Sequence, residues 1–221
     1  MADAAVIFDV DGVLLELTRA EEDAFFAPFE MRYGLTGLSR DWDSYRTRND
    51  EDIIAEILAT HNLAVSESAA IIAEYIEVLR DGIGTDALMP AEIPGARKLL
   101  AELAGGPLLG VATANLVAAA RLRLEAQGLW NSVSQLAFGA EGGGHKRQTV
   151  ARAIAASRLP IDRIVYIGDN LNDVEAGLGN GVHFIGFSVD GSRRHKFAEA
   201  GARHTSSNHE TTLRLIREML T

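Results

Sequence analysis

The chain of 221 residues contains no cysteine, which excludes a disulfide framework, a thiolate nucleophile and a metal site built on sulfur. It has no apolar run long enough to span a bilayer. No basic segment precedes its first apolar run, so we expect no signal peptide and a cytoplasmic location. Basic residues are scarce, with 21 Lys and Arg against 31 Asp and Glu, a net charge of −10. This charge argues against a nucleic-acid partner or an anionic membrane surface, while a bound cation can still prepare one pocket for a small anion.

Short apolar runs without polar alternation supply the main structural signal. Five such runs lie at 4–8, 108–112, 136–138, 164–167 and 183–187. They are typical of strands buried on both faces of a parallel sheet. From residue 94 onward, helical stretches that end at glycine or proline alternate with these runs. The order predicts an α/β fold, a doubly wound parallel sheet that forms a Rossmann-like core.

The segment 16–89 interrupts this alternation because its apolar residues recur at helical spacing only. We therefore expect a helical insert at 16–89, and an α/β core domain made of 1–15 and 90–221. The glycine run 142–144 is interpreted as a mobile loop.

Two pairs of acids follow predicted strands. Asp9 and Asp11 come after the first strand, where Gly12 permits a turn, and Asp169 and Asp173 come after the strand at 164–167. Ligands bind beyond the carboxyl ends of strands in open α/β sheets. A hard divalent cation is the simplest way to offset the repulsion between crowded carboxylates. Taken singly, the first pair also fits an Asx turn and the second a helix cap.

Thr113, Ala114 and Lys146 complete a candidate anion site. Thr113 follows the strand at 108–112, so its hydroxyl and the next backbone N–H, that of Ala114, could hold a phosphate oxygen. Lys146 follows the glycine run and could neutralise phosphate charge. Either Thr113 or Lys146 alone is equally typical of a surface residue. Their order along the chain, between the two acid pairs, argues for a shared site.

These residues together resemble the four motifs of the haloacid dehalogenase superfamily. Phe8–Leu14 resembles motif I, Thr113 motif II, Lys146 motif III and Gly168–Asp173 motif IV. The insert resembles the helical cap domain of the phosphoglycolate phosphatase and β-phosphoglucomutase branch. The resemblance covers essentially the whole chain and implies a Mg²⁺-dependent phosphatase, a phosphoric monoester hydrolase acting on a small phosphorylated metabolite.

The resemblance also implies a role for each residue. Asp9 would be the nucleophile that forms an aspartyl-phosphate, and Asp11 the general acid and then the base. Mg²⁺ would be held by Asp9, the backbone carbonyl of Asp11 and Asp169, with Asp173 supporting directly or through water. Lys146 would stabilise charge on the phosphoryl oxygens.

The sequence departs from the family pattern in places, and two other functions stay open. Family members often have Asp-Ser at the position of Glu16-Leu17, and Asn or Ser at the position of Ala114. The second acid, Asp11, favours phosphoryl transfer over dehalogenation. One alternative is a phosphomutase of the β-phosphoglucomutase type, and the other is a non-enzymatic binding or regulatory module on the same fold.

Arg48 is the candidate for substrate choice, with Arg46 as the second candidate. The segment 46–50 aligns approximately with the specificity loop of such caps. Arginine suits bidentate recognition of a carboxylate or second phosphate on the leaving group. A solvated surface arginine explains the same sequence, and Asn49 or Asp50 could simply cap the following helix.

Overall fold

A six-stranded parallel sheet forms the centre of the molecule, which is described over residues 2–221 by a computed structural model. The strands are β1 (Ala5–Phe8), β2 (Leu108–Ala112), β3 (Leu136–Phe138), β4 (Ile164–Gly168), β5 (His183–Phe187) and β6 (His204–Ser206). Their order across the sheet is β3–β2–β1–β4–β5–β6, and every neighbouring pair is parallel. The predicted α/β fold with a doubly wound parallel sheet is confirmed.

Ten α-helices accompany the sheet in the described part of the chain. They are α1 (Arg19–Tyr33), α2 (Asp50–Thr60), α3 (Ser68–Gly84), α4 (Ala96–Leu103), α5 (Val117–Ala126), α6 (Trp130–Val133), α7 (Lys146–Ser157), α8 (Leu171–Gly179), α9 (Gly191–Glu199) and α10 (His209–Leu220). Across residues 2–221, no helix combines the length and apolar character needed to cross a bilayer.

Side chains of β1 alternate between two hydrophobic cores. Val6 and Phe8 pack with α4, α5 and α10 on one face of the sheet, while Ala5 and Ile7 pack with α7, α8 and α9 on the other. Both faces are therefore covered by helices. This burial explains why the strand carries apolar residues at every position instead of alternating with polar ones.

Helices α1, α2 and α3 form the insert between β1 and β2. Thr18 and Glu21 make a capping box that starts α1, because each side chain accepts a hydrogen bond from the other residue's backbone N–H. Phe25, Trp42 and Tyr75 pack edge to face in the core of the insert. This hydrophobic core lies beside the sheet and also includes Leu116, Ala119 and Ala140, which belong to α5 and to the loops after β2 and β3.

The N-terminal end of α2 contacts the loops that follow β2 and β3. The Asp50 N–H donates to the Ala114 carbonyl at 3.0 Å. In the glycine run 142–144, which we interpreted as a mobile loop, the backbone N–H groups donate to the carboxylates of Glu51 and Asp52 at 2.6–3.2 Å. These contacts hold the insert against the carboxyl ends of the strands.

Candidate active site

The sheet order brings three strand ends together. β1 lies between β2 and β4, so Asp9, Thr113 and Asp169 leave neighbouring strands at the same edge. The Asp9 N–H donates to the Ile167 carbonyl at 2.8 Å, which extends the ladder by one residue past β1. Parallel strands all present their carboxyl ends to one edge, and polar side chains from distant parts of the chain therefore share one site.

Asp9 and Lys146 form a buried ion pair at this edge. Lys146 Nζ lies 2.7 Å from Asp9 Oδ1, which also accepts the Val10 N–H at 2.7 Å. Within residues 2–221, no donor reaches Asp9 Oδ2. Burial raises the pKa of Asp9 to about 8, Asp173 and Asp169 add to that rise, and Lys146 opposes it. Burial alone would lower the pKa of Lys146, but Asp173 and Asp9 together raise it above its usual value.

Gly12 allows the loop after β1 to approach Asp169. Its φ of +73° lies in the left-handed region, and a Cβ on this residue would stand 2.2 Å from Asp169 Oδ2. Only glycine fits both constraints, so the turn that the sequence indicated is required by the site itself. Burial and the neighbouring Asp173 raise the pKa of Asp169 to about 7, although Arg193 and Lys146 lower it.

Asp173 is fully buried and both of its carboxylate oxygens are engaged. Oδ1 accepts the Tyr166 hydroxyl at 2.6 Å and lies 3.3 Å from Lys146 Nζ. Oδ2 accepts the backbone N–H groups of Asp169 and Asn170 at 3.2 and 3.1 Å. The helix-cap interpretation is therefore correct for α8, and the same carboxylate also holds Lys146 in place. These contacts favour a supporting role for Asp173 over direct binding of a cation.

The acidic cluster is suited to a hard cation. Ligand oxygens of Asp9, Asp169 and Asp173 all lie within 4.8 Å of one another. Three carboxylates here face two cationic side chains, Lys146 and Arg193, whose Nη1 lies 3.1 Å from Asp169 Oδ2. The surplus negative charge and the all-oxygen donor set match the preference of Mg²⁺. Arg193, on α9, was not anticipated from the sequence.

The Asp11 side chain lies apart from this cluster. Its Oδ1 is 2.7 Å from Nη2 of Arg123, a buried residue of α5. The predicted metal contact of Asp11 through its backbone carbonyl stays a prediction. Sequence reasoning missed Arg123, although its position three residues after Ala120 on the apolar face of α5 was an available signal.

Thr113 and Ala114 lie where an anion site was expected. Thr113 is buried, and its hydroxyl accepts the Asn115 N–H at 3.1 Å, which folds the loop after β2 into a tight turn. The N–H of Ala114 has no acceptor among residues 2–221. Thr113, Ala114 and Lys146 line the same cavity as Asp9. The phosphate-binding role predicted for them stays a prediction.

A cavity of about 100 Å³ separates the strand ends from the insert. On the insert side it is lined by Leu17, Glu22, Phe25, Trp42, Arg48 and Tyr75. Arg48 is one-third exposed and pairs with Asp43 at 3.2 Å, whereas Arg46 is exposed and does not line this cavity. The geometry therefore favours Arg48 over Arg46 as the residue within reach of a ligand.

Asn49 and Asp50 take different roles at the start of α2. Asn49 caps the helix, since its Oδ1 accepts the N–H groups of Glu51 and Asp52. Asp50 instead faces the core, where its Oδ2 accepts the Leu116 N–H at 2.9 Å. Burial raises the pKa of Asp50 to about 7, an effect that this hydrogen bond opposes. The sequence supplied no signal that separated these two residues.

The fold and the site define an α/β enzyme whose candidate nucleophile is a carboxylate at a strand end. The chain belongs to the haloacid dehalogenase-like hydrolases, whose family model matches residues 6–187. This finding confirms the family and the hydrolase class that the motifs predicted. A search of curated protein sequences returns no match.

Solved structures with the same fold include two groups that the sequence resembles. CbbY from Rhodobacter sphaeroides in complex with phosphate has a TM-score of 0.75 and 23% identity, with 95% of each chain covered. A phosphoglycolate phosphatase-like protein from Lactobacillus plantarum has a TM-score of 0.67 and 17% identity, and the match covers 97% of this chain and 100% of that one. A β-phosphoglucomutase-like protein from Bacteroides vulgatus has a TM-score of 0.70 and 18% identity, and the match covers 100% of this chain and 91% of that one. At these identities the likeness shows the fold.

Proposed function

We propose that the protein is a Mg²⁺-dependent phosphatase of a small phosphorylated metabolite, and that residues 16–89 act as a cap over its site. One observation carries the proposal. The Asp9 carboxylate is held through Oδ1 by Lys146 and the Val10 N–H, while Oδ2 is left without a donor beside the cavity. A carboxylate held in this way is oriented for in-line attack by its second oxygen.

In the proposed reaction, Asp9 Oδ2 attacks phosphorus, and the bond from phosphorus to the leaving oxygen breaks. Asp11 gives that oxygen a proton. Asp11 then takes a proton from the water that attacks the aspartyl-phosphate, which releases phosphate and restores Asp9. The Ala114 N–H, the Thr113 hydroxyl and Lys146 bind the phosphoryl oxygens during both steps.

A metal ion would complete the charge balance. Asp9, Asp169 and the backbone carbonyl of Asp11 would hold Mg²⁺, and Asp173 would support them. When bound, the ion would neutralise charge on the phosphoryl oxygens. Burial, with the neighbouring carboxylates adding to it, raises the pKa of Asp9 and Asp169, and this supports the assignment because a cation would stabilise the ionised carboxylates.

The cavity and one related structure support a small substrate. A volume of about 100 Å³ suits a small leaving group. A mutant form of the Rhodobacter sphaeroides CbbY has been solved with xylulose 1,5-bisphosphate. A small sugar or polyol phosphate is therefore the first substrate class to test, with Arg48 as the proposed contact for an anionic group on it.

The test is phosphate release from a panel of phosphorylated metabolites, with Mg²⁺ and with a chelator. Asp9→Asn should abolish turnover and leave the fold intact. Asp3→Asn, a change at an exposed acid, should leave turnover unchanged. Turnover that depends on an added bisphosphate and releases no phosphate would instead indicate a phosphomutase. Activity retained by Asp9→Asn would refute the nucleophile assignment.

A further inference from the structure

Arg123 is the largest fully buried side chain in residues 2–221, and only 2% of its surface is exposed. A buried guanidinium is tolerated only when its charge and its donors are matched. The carboxylates of Asp11 and Glu21 match its charge, and its N–H groups donate to Glu21, to the Glu16 carbonyl and to the side-chain oxygen of Asn115. Nη2 lies 2.7 Å from Asp11 Oδ1 and donates to the Glu16 carbonyl at 3.0 Å, while Nε donates to Glu21 Oε1 at 2.6 Å.

These contacts join three parts of the molecule. Asp11 lies in the loop after β1, Glu16 in the segment that leads from that loop to α1, and Glu21 in the first turn of α1. Glu21 is itself fixed, because its second oxygen accepts both the backbone N–H and the hydroxyl of Thr18. The start of the insert therefore sets the position of the guanidinium.

We propose that Arg123 is a positioning residue that holds the Asp11 carboxylate for proton transfer, and that Glu21 orients Arg123. This inference rests on the proposed function and adds two residues to it. Arg123 engages Asp11 Oδ1, and no donor within residues 2–221 reaches Oδ2, so that oxygen is available to the leaving group. The planar guanidinium can contact Asp11 and Glu21 in one fixed geometry, which a lysine cannot reproduce.

The choice of substrate separates this role from a purely structural one. An alkoxide leaving group needs a proton from Asp11, whereas 4-nitrophenolate leaves without one. Arg123→Gln should therefore lower kcat/KM on glycerol phosphate by roughly 100-fold, the lower range for lost general acid catalysis, and spare 4-nitrophenyl phosphate. Arg123→Lys should recover part of the loss. The matched control is Arg121→Gln, which removes an exposed arginine of the same helix that pairs with Glu125 and lies over the Trp130 ring, away from Asp11; it should change kcat/KM on neither substrate.

Two further measurements guard against a folding defect. Glu21→Gln keeps Arg123, and should show the same selective loss at smaller size. In an Asp11→Asn background, Arg123→Gln should have little further effect, since both changes remove one function. Equal losses on both substrates, or full additivity with Asp11→Asn, would overturn the proposal.

A structural measurement separates this inference from the proposed function. A wild-type protein that hydrolyses neither phosphate ester would contradict the proposed function. Crystal structures of Arg123→Lys and Glu21→Gln would then decide the geometric claim. The Asp11 carboxylate should move from its wild-type position in both, and an unmoved carboxylate would overturn the inference.

Discussion

Mg²⁺ should stabilise the wild-type protein strongly and the Asp169→Asn variant only weakly. The oxygens of Asp9, Asp169 and Asp173 lie within 4.8 Å of one another. Two unit charges at that distance repel by about 3.5 kcal/mol at an effective dielectric constant of about 20. A cation that binds only the folded state about 100-fold above its Kd adds about 2.7 kcal/mol, which raises the Tm of a chain of this size by roughly 5–11 °C.

The burial of these carboxylates, together with their crowding, gives the metal-free protein a defined pH dependence. The pKa of Asp9 is raised to about 8 and that of Asp169 to about 7, against about 3.9 for an unfolded aspartate. The folded state therefore binds more protons, and the contribution of these groups to stability falls as pH rises from about 4 to about 8. With a chelator present, Asp169→Asn should gain stability relative to wild type over this range.

Differential scanning fluorimetry with a Mg²⁺ titration, at about pH 5 and about pH 8, measures both effects. Asp162→Asn is the matched control, because Asp162 is exposed in the turn just before β4. This control should show the full wild-type shift with Mg²⁺. A shift retained in full by Asp169→Asn, or a shift that does not grow with pH in the wild type, would refute the reasoning.

Three further predictions concern single residues. Asp9→Asn should lose turnover yet show a higher Tm than wild type in chelator near pH 8, because the change removes a buried carboxylate with a raised pKa. A lower Tm would contradict this. Lys146→Ala should lower the free energy of unfolding by about 3 kcal/mol in chelator, because Asp9 loses its buried partner; denaturant titration measures this. The same change should lower kcat by at least about 100-fold, which steady-state kinetics with Mg²⁺ measures. Arg48→Ala should lower kcat/KM on the best metabolite roughly 10-fold or more and spare 4-nitrophenyl phosphate, because its exposed pair with Asp43 is weak enough to yield to a ligand. Arg46→Ala is the control for Arg48, and equal effects of the two changes would place specificity elsewhere.

The strands that the sequence predicted are those with a strong apolar signal. β1, β2 and β4 are buried on both faces, so their composition is apolar throughout, and these strands can be predicted without the structure. β6 and α9 carried no such signal. His204–Ser206 is a short polar edge strand paired with β5, and α9 buries only Phe197 of its nine residues. Pairing with the existing edge of the sheet, and not composition, decides a strand such as β6.

The residues of the predicted site could be identified from the sequence because their chemistry constrains the residues next to them. Asp9 and Gly12 form a recognisable unit, since a carboxylate after a buried strand must be followed by a tight turn, and φ of +73° at that turn requires glycine. Asp169 likewise follows a buried strand directly, and Lys146 begins α7 just after the glycine run that follows β3. The sequence by itself therefore determined the fold class, the hydrolase family and the residues that the strand ends bring together.

Only the tertiary structure decided the partners of those residues. The position of Arg123 beside Ala120 and Leu124 on α5 indicates that it is buried, but nothing in its neighbours along the chain indicates that it pairs with Asp11, 112 positions earlier. The contacts of Asp50 with the loop after β2, and of Arg193 with Asp169, also join residues far apart in sequence, 66 and 24 positions respectively. Local sequence specifies backbone conformation and burial, whereas the choice among charged partners depends on which elements the sheet order and the insert place side by side.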